Sequence, residues 1–260
     1  MAVLRAAKRI FRAFFPRQDL SINWIKSDRS SWLDKNIKGA LIDVPATEEM
    51  DRFEAVAKSL NERGKLPLWE GYQDLYARDK NVPFAAEAPE RSSDQVRTQP
   101  SMGRFYKWFV ERRRPSLIVE IGTAFGISAM YWAAGLRANG HGQLLTFDPN
   151  PHWQPIAAAH LSNEFGEFVD PVFGTFEENF EKRRGDRKVD IAFIDGMHTA
   201  EIVDQQFAML RPYFTRGSIG VFDDIGFSDS MRKGWRRWST HPEASASFSI
   251  GKRVGFVELH

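Results

Sequence analysis

The chain has 260 residues, 42% hydrophobic and 27% charged, with a formal net charge of +2 and no cysteine. That size and mix suit one large soluble α/β domain, or a domain plus an extension, whose core needs no staples. The lack of thiols excludes disulfides, thiolate metal sites and a cysteine nucleophile. The small net charge speaks against nucleic acid as a partner, and no apolar run approaches the roughly 20 residues that span a bilayer.

Between Met1 and Arg17 there is no acid, but there are Arg5, Lys8, Arg9, Arg12 and Arg17. Wound as a helix, Arg5, Arg9 and Arg12 share one face, and Leu4, Phe11, Phe14 and Phe15 gather on another. Such a helix can pack its phenylalanines on its own domain or on a second copy of the chain. It can also lie on an anionic membrane surface, or serve as a targeting peptide, although the serine-rich cleavage context is missing. The expected location is cytoplasmic, with membrane-surface association through residues 1–17 and homo-oligomer formation left open.

Residues 18–46 show no clear period. Thr47 can cap a helix whose apolar positions, Met50, Phe53, Val56 and Leu60, recur at helical spacing, and Gly64 ends it. A short helix is expected around Trp69–Arg78. Pro83, Pro89, Ser92-Ser93 and Pro100 mark residues 81–100 as a linker. A helix from Met102 to Arg113 follows. This divides the chain into an N-terminal helical cap over 1–95 and a main domain over 96–260.

From there strands are expected at 117–121, 143–148, 168–173, 189–195 and 217–223. They alternate with helices at 126–138, 152–165, 176–184, 199–210 and 228–239. Such alternation implies a doubly wound, mostly parallel sheet with right-handed crossovers. Ser247–Ile250 and Val254–Leu259 flank Gly251-Lys252-Arg253, a hairpin pattern that makes the last strand antiparallel. Seven strands result.

Four of these strands end in acids: Glu120, Asp148, Asp195 and the pair Asp223-Asp224. Open α/β sheets bind ligands at these carboxyl ends. After Glu120 come Gly122 and Gly126, a turn that brings bare backbone and helix N–H groups close to a ligand. The pattern is E-x-G-x-x-x-G, not G-x-G-x-x-G, which favours a ligand without a pyrophosphate. Basic runs at Arg112–Arg114 and Lys182–Arg184 sit at helix C-termini, where cations meet the dipole favourably. A third, Arg232-Lys233 with Arg236-Arg237, lies beside the presumed site, where it can meet an anionic substrate or an RNA.

The run VEIGTAFGIS, then LLTFDPNP, FIDGMHTAEIVDQQFAMLRP and VFDDI, resembles class I S-adenosylmethionine-dependent methyltransferases. More narrowly it resembles methyltransferase family 24 and the metal-dependent O-methyltransferases of catechol and sugar type. The resemblance covers about Arg97–Leu259. It implies that Gly122 and Thr123 pass under the methionine part of the cofactor and that Ser128 binds its carboxylate. Asp148 would hold both ribose hydroxyls, with Gly174, Thr175, Phe176 and Met197 bordering the adenine. Ser128 and Asp148 can alternatively be helix caps.

Asp195 and Asp223-Asp224 close neighbouring strands, about 4.8 Å apart, and would repel one another without a cation. All-oxygen ligation suits Mg²⁺, and the resemblance makes these three acids its ligands. His198, three residues after Asp195, matches the place of the catalytic base in the resembling enzymes, and neutral imidazole accepts protons near pH 7. The acids can instead be caps or substrate contacts. The expected activity is O-methylation of a small hydroxylated molecule. Two other readings remain: a non-catalytic scaffold that binds S-adenosylmethionine, and a metal-dependent oxygenase on the same fold.

Overall fold

The computed structural model describes residues 20–40, 44–71 and 90–260. The expected basic helix at 1–17, most of the helix around 69–78, and Pro83 and Pro89 lie outside the described residues.

Ten strands and nine α-helices are assigned among the described residues. The N-terminal part holds β1 (Ile22–Lys26), α1 (Trp32–Ile37), α2 (Glu48–Glu62), the short ladder of β2 (Leu66–Pro67) with β3 (Glu90–Arg91), and α3 (Ser93–Val96). The main run is α4 (Pro100–Arg113), β4 (Leu117–Ile121), α5 (Ile127–Asn139), β5 (Gln143–Asp148), α6 (Gln154–Phe165), β6 (Val169–Phe173) and α7 (Phe176–Arg184). It continues through β7 (Val189–Ile194), α8 (Ala200–Leu210), β8 (Phe214–Phe222), α9 (Asp229–Ser239), β9 (Ala244–Ile250) and β10 (Val254–Leu259).

The main sheet has eight strands in the order β1-β9-β10-β8-β7-β4-β5-β6. β8, β7, β4, β5 and β6 run parallel, and β10, β9 and β1 are joined antiparallel beside them. The doubly wound, mostly parallel sheet expected from the sequence is present, with one strand more than expected. The extra strand is β1, whose Ile22 and Trp24 pair with Ile250 and Phe248. Residues expected to be only a helical cap therefore extend the sheet. The expected linker is also partly structured: Ser92 caps α3, and Pro100 opens α4, where its missing N–H costs nothing.

β4 sits centrally and all five of its residues are buried, as befits a parallel strand covered on both faces. On one face α4 and α5 pack tightly, with Tyr106 stacked on Trp132 at 4.2 Å. A Cβ at Gly135 would lie 2.6 Å from that of Val110, so only glycine lets these helices approach so closely. The other face buries Phe176 and Phe180 of α7 and Trp238 of α9, the last stacked on Phe222 at 4.8 Å. Thr47 caps α2 by accepting from the Met50 N–H, as expected.

α1 is too short to stand alone. Its first turn is tied down by a strand on the main sheet. Both carboxylate oxygens of Glu258, a 4% exposed residue on β10, accept N–H groups there, from Trp32 at 2.8 Å and Leu33 at 2.7 Å. Glu258→Ala should lower the unfolding free energy by about 1–3 kcal/mol, the cost of stranding such donors. A shift of the urea midpoint at unchanged slope checks this; an unchanged midpoint would show that water serves α1 equally well.

Candidate functional site

Backbone hydrogen bonds continue past the ends of the parallel strands. Gly122 N–H donates to the Phe147 carbonyl at 2.9 Å, Asp195 N–H to Ile121 at 2.9 Å, Asp223 N–H to Ile194 at 3.1 Å and Gly174 N–H to Asp148 at 3.0 Å. The residues that follow the strands are thus held in one rim. Gly122 has φ +100°, and a Cβ there would lie 2.2 Å from the Asp195 carbonyl oxygen. Glycine is required here by contact with protein backbone as well as by conformation. Gly126 has φ +81° and opens α5, whose first turn carries Ser128.

Asp148 ends β5 and is 6% exposed. Its Oδ2 accepts the Ala124 N–H at 2.7 Å, and its Oδ1 accepts the Asn150 N–H at 2.8 Å. Burial pushes its carboxyl up to about 6, against the pull of those two N–H groups. Asp148 does not cap α6, which starts with Trp153 in the N-cap position. Glu120 is fully buried within β4. The Thr146 hydroxyl donates to its Oε2 at 2.5 Å, so Thr146 must accept from Thr123, whose hydroxyl lies 2.6 Å away. Glu120 Oε1 has no hydrogen-bond partner in this geometry. Burial raises this carboxyl to about 7, opposed by the Thr146 and Ser128 hydroxyls.

A pocket opens over this loop. Gly122, Thr123, Ala124, Ser128 and Asp195 line it, and so do Val96, Arg97 and Thr98. No sequence motif marks this last segment. Arg97 is held there from below: its Nη1 meets Glu54 of α2 at 2.6 Å and its Nε meets Asp94 at 2.8 Å. Tyr131 donates to the other Glu54 oxygen at 2.9 Å. The N-terminal part thus supplies one wall of the pocket.

Asp195 joins this pocket to the acid cluster. His198 Nε2 lies 3.9 Å from Asp195 Oδ1 and 3.6 Å from Asp224 Oδ2. The expected meeting of Asp195, His198 and Asp224 is therefore present, although His198 precedes α8 instead of starting it. Asp223 is 4% exposed and its Oδ1 has no partner. Burial, and then mutual repulsion with Asp223, raise the carboxyls of Asp195 and Asp224. The positive charge beside them comes from the β9–β10 hairpin: Arg253 Nη2 lies 3.5 Å from Asp223 Oδ2, and its Nε 3.5 Å from Asp224 Oδ1. Sequence reasoning read Arg253 only as part of a turn, because nothing local says which strand end the apex will face. Among the described residues no group of three or more histidine or carboxylate side chains is arranged to hold a metal ion.

The remaining expected residues divide. Gly174, with φ +118°, stands next to Asp148 through its N–H bond, and Met197 is half-buried next to His198. Thr175 caps α7 by accepting from Glu178 N–H at 3.3 Å. The Phe176 ring is 1% exposed, between Phe147 and Phe180 in the core, so packing accounts for its side chain.

Residues 119–225 match the family described as a methyltransferase domain. That matched stretch is similar to a methyltransferase domain. It runs from the glycine loop to the acid pair, and leaves out β1, Arg97 and Arg253. Solved structures share its fold at low identity. Cofactor-bound Rv0187 from MTB is 18% identical, with a TM-score of 0.58 over 90% of this chain and 97% of its own. An O-methyltransferase from Bacillus cereus in complex with SAH is 17% identical, with a TM-score of 0.57 over 88% of this chain and 98% of its own. The O-methyltransferase TomG from Streptomyces achromogenes, in complex with SAM, is 16% identical, with a TM-score of 0.54 over 82% of this chain and 99% of its own. No curated protein matches the sequence.

Two outcomes test this geometry. Gly122→Ala should destabilise the protein by several kcal/mol, since strain at positive φ and a backbone clash add; an unchanged melting temperature would refute the close contact. Glu120 titrates near 7 when folded and near 4.3 when unfolded. The folded state therefore binds the extra proton between these values, and stability falls as pH rises through that window. Glu120→Gln should remove this part of the fall, seen as a flatter stability profile between about pH 4 and 7.

Proposed function

We propose that this protein is a class I S-adenosylmethionine-dependent methyltransferase that moves the cofactor's methyl group onto a hydroxyl of a small molecule, with His198 as the base. The observation that carries the reading is the continuity of one rim, from Asp148 through the Gly122–Ser128 loop to Asp195 and His198. The donor set suits the cofactor. Each Asp148 oxygen accepts only one N–H, and a carboxylate has about four acceptor sites, so capacity remains for two ribose hydroxyls. Ser128 and the N–H groups of the first turn of α5 face an anion-friendly helix start, which suits the cofactor's carboxylate. Glu120 supports the loop from beneath through Thr146 and Thr123. On this reading Gly174, whose N–H donates to the Asp148 carbonyl, borders the adenine together with Met197.

When bound, S-adenosylmethionine supplies an electrophilic methyl on a sulfonium. His198 takes the proton of the acceptor hydroxyl as its oxygen bonds to the methyl carbon, and the carbon–sulfur bond breaks to leave a neutral thioether. Asp195 and Asp224 flank the imidazole and favour the imidazolium that forms. Most of the acceleration expected of such a site comes from alignment, with reacting atoms about 3–3.5 Å apart.

The resemblance also implies a divalent cation, Mg²⁺ by ligand type, held by Asp195, Asp223 and Asp224. The unpartnered Asp223 Oδ1 would welcome one. The set as a whole does not fit: its carboxylates are not arranged around one point, and Arg253 stands against two of them. The proton transfer above needs only the chain's own residues.

His198→Ala should leave cofactor affinity intact and slow methyl transfer by roughly 10²–10⁴. Full turnover in the variant would move the base elsewhere, Asp224 first. Asp148→Ala should weaken S-adenosylmethionine binding by about 1–3 kcal/mol in calorimetry. Ribose binding needs ionised Asp148, whose carboxyl titrates at about 6. Affinity should therefore be level above that pH and fall about tenfold per unit below it. An affinity independent of pH down to about 4, near the ordinary carboxylate value, would remove Asp148 from the cofactor site.

A further inference from the structure

We propose that Arg253 is the resident cation of the acid cluster and stands in place of a divalent metal ion. The proposal deepens the reading of this site as one for methyl transfer, but its charge argument is independent of that reading.

Arg253 is fixed in place by backbone. Its carbonyl accepts the Ile225 N–H at 2.9 Å, its N–H donates to Ile250 at 3.3 Å, and the Gly251 N–H donates to the Ser21 carbonyl at 3.0 Å. The hairpin apex lies directly on the loop after β8: a Cβ at Gly226 would be 2.5 Å from the Lys252 carbonyl oxygen. Asp224 is pinned by the same loop in a left-handed conformation at φ +47°, with its carbonyl accepting the Phe227 N–H at 2.9 Å. Two docked turns thus fix the main chain from which guanidinium and carboxylates meet, the guanidinium lying 3.5 Å from each of Asp223 and Asp224.

The chemistry agrees. Asp223 first, and then Asp224 and Asp195, raise the Arg253 guanidinium further above its already high range, so it stays charged at any working pH. A metal ion ligated by Asp223 and Asp224 would face that fixed charge at close range. Arginine also offers a planar fork of donors that a spherical ion lacks. It can hold Asp223 and Asp224 apart while Asp224 keeps one oxygen towards His198. Arg253 is in this sense a positioning residue.

The test uses the full chain, stripped with EDTA and desalted, with Mn²⁺ as the probe and electron paramagnetic resonance as the readout. Asp223→Asn serves as the reference for surface binding. Wild type should bind Mn²⁺ no better than Asp223→Asn, show no thermal shift with Mg²⁺, and transfer methyl groups equally well in EDTA. Arg253→Ala should gain one Mn²⁺ site, because three acids are left without a counter-charge, and the Arg253→Ala, Asp223→Asn double variant should lose it. Should Arg253→Ala fail to fold, Arg253→Gln removes the charge at similar size and is read in the same way. A wild-type Mn²⁺ site that disappears in Asp223→Asn overturns the proposal, as does an arginine variant that gains no site. A wild type that follows the expected Mn²⁺ pattern but neither binds S-adenosylmethionine nor transfers methyl groups supports Arg253 and refutes the methyl-transfer reading.

Discussion

At Gly122 two backbone segments meet with no room for a side chain: a Cβ there would fall 2.2 Å from the Asp195 carbonyl oxygen. The loop after β4 and the turn after β7 are thereby locked together. The first carries the helix start with Ser128; the second carries Asp195 and, three residues on, His198. Any displacement of one moves the other. The bond from Gly122 N–H to Phe147 extends the lock to β5 and Asp148. The proposed methyl transfer requires donor and proton acceptor to be set to within a fraction of an ångström, and a contact between main chains holds these two loops more firmly than side-chain packing could.

Inside that frame the carboxylates are kept in differing states. Glu120, with one oxygen lacking a partner, is pushed up to about 7. Asp148, with two N–H donors, reaches only about 6. In both, burial drives the rise and hydrogen bonds to the charged form oppose it, from hydroxyls at Glu120 and from main-chain N–H groups at Asp148. Asp195 and Asp224 are raised by burial and by like charge, and Arg253 offsets part of the repulsion. The acids of the strand ends thus divide into one that braces the glycine loop, one that accepts two main-chain N–H groups, and a cluster around the imidazole.

Much of this was legible in the chain. The run from Val119 to Ser128 shows strand, turn and helix by its apolar steps and two glycines, and Gly122 and Gly126 do have positive φ. The alternation of elements gave the sheet, because each parallel strand is buried on both faces and reads as a plain apolar run. β1 was not legible. Its Ile22, Trp24 and Lys26 share one face, too short and mixed a pattern to stand out, and its partner is over 200 residues away. Arg97 and Arg253 were missed for the same reason: each earns its place through a distant contact, with Glu54 or with Asp223, that no local spacing encodes. Phe176, expected beside the adenine, turns its ring into the core against Phe147.

β1 also bears on which strand forms the edge of the main sheet. All seven residues of β9 are buried, and its outer edge is covered by a strand of mixed character, with Lys26 reaching the carbonyls of His241 and Pro242. Stripped of β1, β9 would offer a long apolar edge with unpaired N–H and C=O groups, a template for edge-to-edge association. A version of the chain shortened only from its N-terminal side, to begin at α4, would keep the glycine loop, the acid pair and β9. Lacking that guard strand, it would tend towards aggregates before any loss of chemistry could be measured.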